Sequence, residues 1–336
     1  MRFLVGHRAG ALAATIPEGV AVTELSPPVR RSLFSRFRLG RAMAREIARL
    51  DPDVVFLPGN FHLQLCIPIG AERRRLGAGW TVAFKLSNPI TPNRFTAPLL
   101  RRVVRHYHDC IDAVAAMNGG IARELAALVP EADIRTLHDP TYLNPGMSHA
   151  HVPDADGRFH IVWAGRFEPQ KDVMLALRTM RALATNPPGG LPPRLSLLGS
   201  GSQRRAVERA IRRLGLTDIV DTPGHVPQID PWLERADVLL VTSHFEGGPA
   251  VAVEALAHGV PVVSTDCSHF LRDILPVGGG RIIGSRAPAA LADALRAVAA
   301  APPPDADALA RLIDHLAPET CAAAYLDWFD SLAPRR

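Results

Sequence analysis

Cysteine and long apolar runs are scarce in this sequence of 336 residues. The four cysteines lie far apart and form no Cys-x-x-Cys pair, which excludes a zinc ribbon or a dithiol redox motif and favours a reducing cytoplasm. No stretch approaches the roughly 18 apolar residues of a membrane-spanning helix. The first ten residues contain no apolar signal region with a small-residue cleavage site. We therefore expect neither a membrane span nor a classical secretion signal.

Lysine is also scarce, although the chain is weakly basic. Only Lys85 and Lys171 occur among 38 lysines and arginines, and the net charge is +5. A charge this small excludes a dedicated nucleic-acid binder, and a hydrophobic content of 47% excludes a disordered chain or a small disulfide scaffold. Where the composition favours arginine, a remaining lysine indicates a position that needs a compact ammonium group.

Short apolar runs alternate with longer helical patterns along the whole chain, which predicts an α/β fold with parallel sheets. A segment rich in proline and glycine over residues 139–157 reads as a linker. The pattern predicts two Rossmann-like domains that face a cleft. The expected parts are a first domain over 1–148, a second domain over 149–318, and a C-terminal helix and tail over 319–336.

Two strand-to-helix loops in the second half carry candidate phosphate-binding groups. Gly165, Arg166 and Lys171 follow the predicted strand Ile161–Ala164, so two cations and a helix N-terminus lie where a diphosphate would bind. Gly199 and Gly201 follow the next predicted strand and permit close backbone approach to a ligand. The alternatives are a solvated loop for the first and an ordinary tight turn for the second.

The strongest motif is the segment 243–263, SHFEGGPAVAVEALAHGVPVV. Glu246 lies in the loop after a predicted strand, and Glu254 lies just over one turn inside the following helix. Gly247 and Gly248 permit close backbone approach, and the free N–H groups of Gly248, Ala250 and Val251 at the start of this helix form a hydroxyl or anion site. Two carboxylates beside such donors suit a nucleotide sugar, whereas a helix-capping role for Glu254 is the structural alternative.

Together these motifs resemble the retaining glycosyltransferases of family 4, which have the GT-B fold. The resemblance runs from about residue 159 to residue 300, and the Glu246 and Glu254 pair carries most of it. It implies that Arg166 and Lys171 hold the donor diphosphate, that Glu246 binds sugar hydroxyls, and that Glu254 binds ribose hydroxyls. His225 and Val226 would lie along the base. It implies no cofactor and no metal.

The first half resembles the family only in its alternation of strands and helices. Relative to the family, the resemblance leads us to expect that about one βα unit of roughly 30 residues is absent before Met1, through either a start further upstream or the loss of part of the acceptor domain. Ser87 and Asn88 lie where many members carry a histidine, so no general base is assigned. A GT-B epimerase or phosphorylase and a non-catalytic nucleotide-sugar-binding subunit are the alternative functions.

Arginines are concentrated in the first half, at positions 30, 31, 36, 38, 41, 45, 49, 101, 102 and 105. Apolar residues are interleaved with some of them, which favours either peripheral contact with an anionic membrane or a solvated helix face. The resemblance therefore implies a cytoplasmic, metal-independent glycosyltransferase of polysaccharide biosynthesis, with an acceptor-side domain over 1–148 and a nucleotide-sugar-binding domain over 149–318. Its expected partners are a nucleotide sugar and a glycan or lipid-linked acceptor, with no nucleic acid.

Overall fold

The structure is a computed structural model that describes residues 1–8, 16–29, 35–90, 97–141, 152 and 156–333. The chain divides into two compact units. One comprises Met1–Leu137 with Ala323–Arg336, and the other comprises His138–Ala322. The predicted boundary between residues 148 and 149 lies outside the described residues, as does most of the predicted linker.

The first unit contains a two-stranded and a four-stranded sheet, both parallel. Its strands are β1 (Arg2–Val5), β2 (Ala21–Glu24), β3 (Val54–Leu57), β4 (Thr81–Leu86), β5 (Ala113–Ala116) and β6 (Asp133–Thr136). Its helices are α1 (Ser35–Leu50), α2 (Cys66–Leu76), α3 (Ala97–His108) and α4 (Gly119–Leu128). β3 to β6 pair in sequence order, and the buried runs of β4 and β5 are typical of parallel strands covered on both faces.

The C-terminal helix α12 (Pro318–Leu332) packs its aromatic residues on this first unit. Trp328 is 2% exposed, and its ring lies 6.2 Å from that of Phe56 on β3 in an edge-on arrangement. Phe329 contacts the same ring at 5.1 Å. The segment that the sequence predicted as a separate C-terminal helix and tail is therefore part of the first unit's core over residues 323–333.

The second unit contains one six-stranded parallel sheet. Its strands are β7 (His160–Ala164), β8 (Arg194–Leu198), β9 (Val220–Gly224), β10 (Val238–Val241), β11 (Val262–Thr265) and β12 (Gly280–Ile283). Its helices are α5 (Val173–Ala184), α6 (Arg204–Leu214), α7 (Asp230–Leu233), α8 (Ala250–Ala257), α9 (His269–Ile274), α10 (Pro288–Ala299) and α11 (Ala306–Arg311). Two apolar cores cover the two faces of the sheet.

The strand order of this sheet is β12-β11-β10-β7-β8-β9, which is the doubly wound order of a Rossmann fold. After the edge strand β9, the chain returns to the centre of the sheet, where β10 pairs with β7, so the switch point lies between these two strands. In open α/β sheets, ligands bind outside the carboxyl ends of the strands at such a switch point. A ligand-binding site is therefore expected at the loops that follow β7 and β10.

The alternation of strands and helices expected from the sequence is present in both units. α5 begins at Val173, because Asp172 has a left-handed backbone (φ 43°) that interrupts helical geometry. α2 begins at Cys66 after a 3₁₀ turn. Within the described parts of the chain, no helix is both long and apolar enough to cross a membrane.

Candidate functional site

Lys171 and Glu246 meet at the switch point of the second unit. Lys171 ends the loop after β7, Glu246 lies in the loop after β10, and its Oε1 is 2.6 Å from the Lys171 Nζ. The two side chains are only 19% and 10% exposed. The loops are also joined by the Gln170 side-chain amide, which donates to the carbonyl of Phe245 at 2.9 Å. The structure thus joins two predicted site residues, separated in sequence, in one mostly buried ion pair.

Arg166 lies in the same loop but is exposed to solvent. Beside it, the carboxylate of Glu168 accepts hydrogen bonds from the hydroxyl and the backbone N–H of Ser202, at 2.7 and 2.9 Å. These bonds, with a smaller contribution from Arg166, lower the pKa of Glu168. Arg166 is therefore an exposed cation on the same loop as Lys171, and Ser202 fixes that loop through Glu168.

The glycines after β8 allow that turn to pack against the loop after β7. Gly199 has a φ of 138°, and a Cβ there would lie 1.9 Å from the carbonyl oxygen of Gly165. A Cβ on Gly201 would lie 2.7 Å from the carbonyl oxygen of Phe167. Both glycines are thus required by close backbone approach, whatever ligand the turn binds.

The start of α8 lies directly after Glu246, where the predicted donor residues occur in order. Gly247 is buried, and its carbonyl accepts a hydrogen bond from the Ser268 hydroxyl at 3.0 Å. Gly248 follows, and α8 begins at Ala250 and continues through Val251. The positive end of the helix dipole therefore lies a few residues after the Lys171–Glu246 pair.

Glu254 lies one turn into α8, beside a second pair of ionisable groups. His258 is buried, and its Nε2 lies 2.9 Å from Asp230 Oδ1 at the start of α7. Burial is the main cause that raises the pKa of Glu254, and the nearby Asp230 carboxylate raises it further, whereas His258 lowers it. Hydrogen bonds from donors such as ligand hydroxyls would stabilise the charged form of this carboxylate.

His225 and Val226 follow β9. His225 is exposed, and Val226 packs partly against the apolar core on one face of the sheet. The preceding Gly224 accepts a hydrogen bond from the Gly199 N–H at 2.7 Å, which ties this loop to the turn after β8. The predicted site residues thus lie on loops after β7, β8, β9 and β10, at the same edge of the sheet.

Four further residues support the site and were missed by sequence reasoning. They are Trp163, Asp172, Thr242 and Arg286, which form hydrogen bonds with one another and with the backbone of Lys171. Asp172 carries a weak sequence signal, because Asp is a common N-cap residue. Arg286 has none, since it is one of 36 arginines and lies 114 residues from its partner Asp172.

The described residues contain no group of three or more His, Cys, Asp or Glu side chains placed to hold a metal ion. The cationic groups of the candidate site are side chains of the protein itself, Arg166 and Lys171.

Comparison with known proteins gives similarities to glycosyltransferases. Residues 158–301 match the family described as glycosyl transferases group 1. The chain is 29% identical over 260 residues to the lipopolysaccharide 1,6-galactosyltransferase of Escherichia coli K12, covering 72% of this chain and 66% of that protein. It is 28% identical over 173 residues to the D-inositol 3-phosphate glycosyltransferase of an Arthrobacter species, covering 50% and 40%. The matches thus span about two fifths to two thirds of these relatives.

Solved structures of glycosyltransferases have the same fold. The apo form of the lipopolysaccharide outer core galactosyltransferase WaaB superposes with a TM-score of 0.74 at 20% identity, covering 98% of this chain and 89% of that one. HepE of Anabaena, solved with UDP and glucose, gives 0.73 at 17% identity, with 98% and 91% covered. The expected GT-B fold of two Rossmann-like units is confirmed. Residues 158–301, which match the model of the glycosyl transferases group 1, carry the Lys171–Glu246 pair.

Proposed function

We propose that this protein transfers a sugar from a nucleotide-diphosphate sugar to an acceptor hydroxyl, with retention of anomeric configuration. The observation that carries the proposal is the Lys171–Glu246 pair, held at 2.6 Å at the switch point of the sheet. It combines a cation for a diphosphate with a carboxylate for sugar hydroxyls. The match of the surrounding segment to group 1 glycosyltransferases supports the same reaction, and retention is taken from the resemblance to family 4.

Lys171 and Arg166 would stabilise the leaving group. When the glycosidic bond to the donor breaks, negative charge develops on the β-phosphate. Preorganised cations placed there act as an oxyanion hole does, and one such group contributes about 10²–10³ in rate. Because two side chains supply the charge, we propose that transfer needs no metal ion. Activity that persists in EDTA supports this, and activity restored only by added Mg²⁺ or Mn²⁺ contradicts it.

The two glutamates would bind the two ends of the donor. Glu246 would accept hydrogen bonds from sugar hydroxyls and also fix the ammonium group of Lys171. Glu254 would accept hydrogen bonds from the two ribose hydroxyls, which compensate for the burial that raises its pKa. The N–H groups at Gly248, Ala250 and Val251 would contact the diphosphate or the sugar. His225 and Val226 would lie along the base.

We propose a glycan or lipid-linked saccharide as the acceptor, in line with the lipopolysaccharide named for one relative. A stripe of arginines on α1 favours a peripheral membrane location. Arg38, Arg41, Arg45 and Arg49 are exposed and spaced three or four residues apart, so they share one helix face. Arg30 and Arg31 of the predicted basic region lie outside the described residues.

Liposome sedimentation tests the membrane proposal. The wild-type chain should sediment with vesicles containing phosphatidylglycerol and remain in solution with phosphatidylcholine alone. An Arg38→Gln, Arg41→Gln, Arg45→Gln variant should lose most of this binding, because each basic group near an anionic surface contributes about 1 kcal/mol. Equal sedimentation of the variant and the wild type would contradict a role for the stripe.

Ligand binding tests the donor site before the acceptor is known. UDP is the first probe, because one structural neighbour was solved with it; GDP and ADP complete the panel. A nucleoside diphosphate at 100 times its Kd should stabilise the protein by about 2.7 kcal/mol, seen as a raised Tm. Lys171→Met should abolish this shift. Arg296→Gln should retain it, because Arg296 bonds to α5 and Asp293, not to the site loops.

A further inference from the structure

The residue that follows Lys171 has an unusual backbone that its neighbours hold in place. Asp172 is left-handed (φ 43°, ψ 57°), a conformation uncommon for residues other than glycine. Its carboxylate Oδ1 accepts a hydrogen bond from the Leu175 N–H at 3.1 Å, which caps α5. The direction in which the chain leaves Lys171 therefore depends on the contacts that hold Asp172.

Arg286, just before α10, binds Asp172 and the end of β10 at once. One of its terminal nitrogens donates to Asp172 Oδ2 at 2.6 Å and to the Thr242 carbonyl at 2.9 Å. The other donates to the Ser243 carbonyl at 2.9 Å. One planar guanidinium thus connects the residue after Lys171 to the strand end that leads to Glu246.

Thr242, at the end of β10, makes further bonds to the backbone of Lys171 and Asp172. Its hydroxyl lies 3.0 and 2.9 Å from the carbonyl oxygens of Lys171 and Asp172, and it accepts a hydrogen bond from the buried Trp163 ring nitrogen at 2.9 Å. Together, Arg286 and Thr242 fix the backbone of Lys171 relative to the loop that carries Glu246. The 2.6 Å distance between the ammonium and the carboxylate depends on that relation.

We infer that Arg286 is a positioning residue for Lys171, acting through Asp172 and the end of β10. The inference deepens the proposed function and rests on it for its catalytic consequence. Loss of the guanidinium leaves the Asp172 carboxylate and two carbonyls without these bonds. The bonds made by Thr242 and Gln170 still join the two loops, but Asp172 is no longer tied to the end of β10 through Arg286. Lys171 then moves away from Glu246 and from the position where charge develops.

The scarcity of lysine allows a direct test that needs no substrate. Lys85 and Lys171 are the only lysines, so competitive labelling with acetic anhydride, read by peptide mass spectrometry, compares the two amines in one sample. Lys171 is paired and mostly buried in the wild type. In Arg286→Gln, the ratio of Lys171 to Lys85 labelling should rise several-fold. Glutamine is used because it adds no third lysine.

Arg296 provides a matched control in the same unit. Like Arg286, it donates to two backbone carbonyls and one carboxylate, and the two side chains are 27% and 34% exposed. Arg296→Gln should lower the Tm about as much as Arg286→Gln but leave the labelling ratio at the wild-type value. If the two variants lose similar stability, a labelling ratio that rises only in Arg286→Gln does not come from destabilisation.

Steady-state kinetics supply the second measurement. In Arg286→Gln, kcat should fall about 10- to 100-fold, because a misplacement of about 1 Å in a catalytic group has effects of this size. KM for the nucleotide sugar should change less, since charge on the β-phosphate develops in the transition state. Arg296→Gln should leave kcat within the error of the wild type.

The outcomes separate the inference from the proposed function. An unchanged labelling ratio in Arg286→Gln overturns the inference even if activity falls, and the proposed function then stands on the wild-type activity. A raised ratio with normal kcat also overturns it. If the wild type transfers no sugar from any donor while the ratio still rises, the proposed function fails, and the structural link between Arg286 and Lys171 is supported.

Discussion

Replacing Lys171 by methionine should destabilise the second unit as well as inactivate it. The substitution roughly keeps the length of the side chain but removes the cation that lies 2.6 Å from the Glu246 carboxylate. Glu246 is only 7% exposed. Removing one partner of a buried ion pair leaves an uncompensated charge and costs about 3–5 kcal/mol. Because both side chains keep some solvent contact, we expect the lower end, about 3 kcal/mol.

Thermal unfolding gives the direct measurement of this loss. For a unit of roughly 150 to 250 residues, 1 kcal/mol corresponds to about 2–4 °C in Tm, so Lys171→Met should lower the Tm by about 6–12 °C. Adding Glu246→Gln should recover much of the Tm, because the unpaired charge is then absent. Activity should not recover, because the cation is still missing.

Arg166→Gln is the matched control, since Arg166 is exposed. We expect its stability to stay within about 0.5 kcal/mol of the wild type while activity falls. An unchanged Tm in Lys171→Met would contradict the stabilising role of the ion pair. A double variant as unstable as Lys171→Met would also contradict it, because the loss would then not come from the charge on Glu246.

Three further substitutions test other parts of the structure. Gly199→Ala should lose at least about 2 kcal/mol and most activity, because its Cβ would meet the Gly165 carbonyl at 1.9 Å; Gly278→Ala, at a similar φ of 131° but with open space, should lose less. Glu254→Gln should raise the Tm at pH 7 but not below about pH 4, because the raised pKa means that wild-type stability falls as Glu254 ionises with rising pH. Trp328→Ala should destabilise the first unit by about 3–5 kcal/mol in denaturant unfolding.

The second unit was predictable from sequence because buried parallel strands read as short apolar runs. β7, β8, β10 and β11 are such runs, and the loops after them contain the candidate residues. Once the strand order is doubly wound, the loops after β7 and β10 must meet, and the Lys171–Glu246 pair follows from that topology. The positions of the candidate residues could be predicted because these residues lie next to the ends of the strands.

The supporting contacts could not be predicted for a physical reason. Arg286 acts through side-chain geometry between elements far apart in sequence, and no local pattern distinguishes it from the other arginines. The left-handed Asp172 is stabilised by those same contacts. Likewise, α12 joins the first unit because its aromatic face fits β3, which is a property of tertiary packing and not of helix periodicity.

The role of Lys171 in a retaining sugar transfer is tested by the chemistry of the products. Wild-type protein and Lys171→Met would be incubated with UDP-, GDP- and ADP-sugars and a panel of saccharide acceptors, and the anomeric protons followed by NMR. The wild type should release a nucleoside diphosphate from one donor and form a glycoside of the donor's own anomeric configuration, whereas Lys171→Met should do so about 10²–10³ times more slowly. An inverted product, or equal rates for the two proteins, would contradict it.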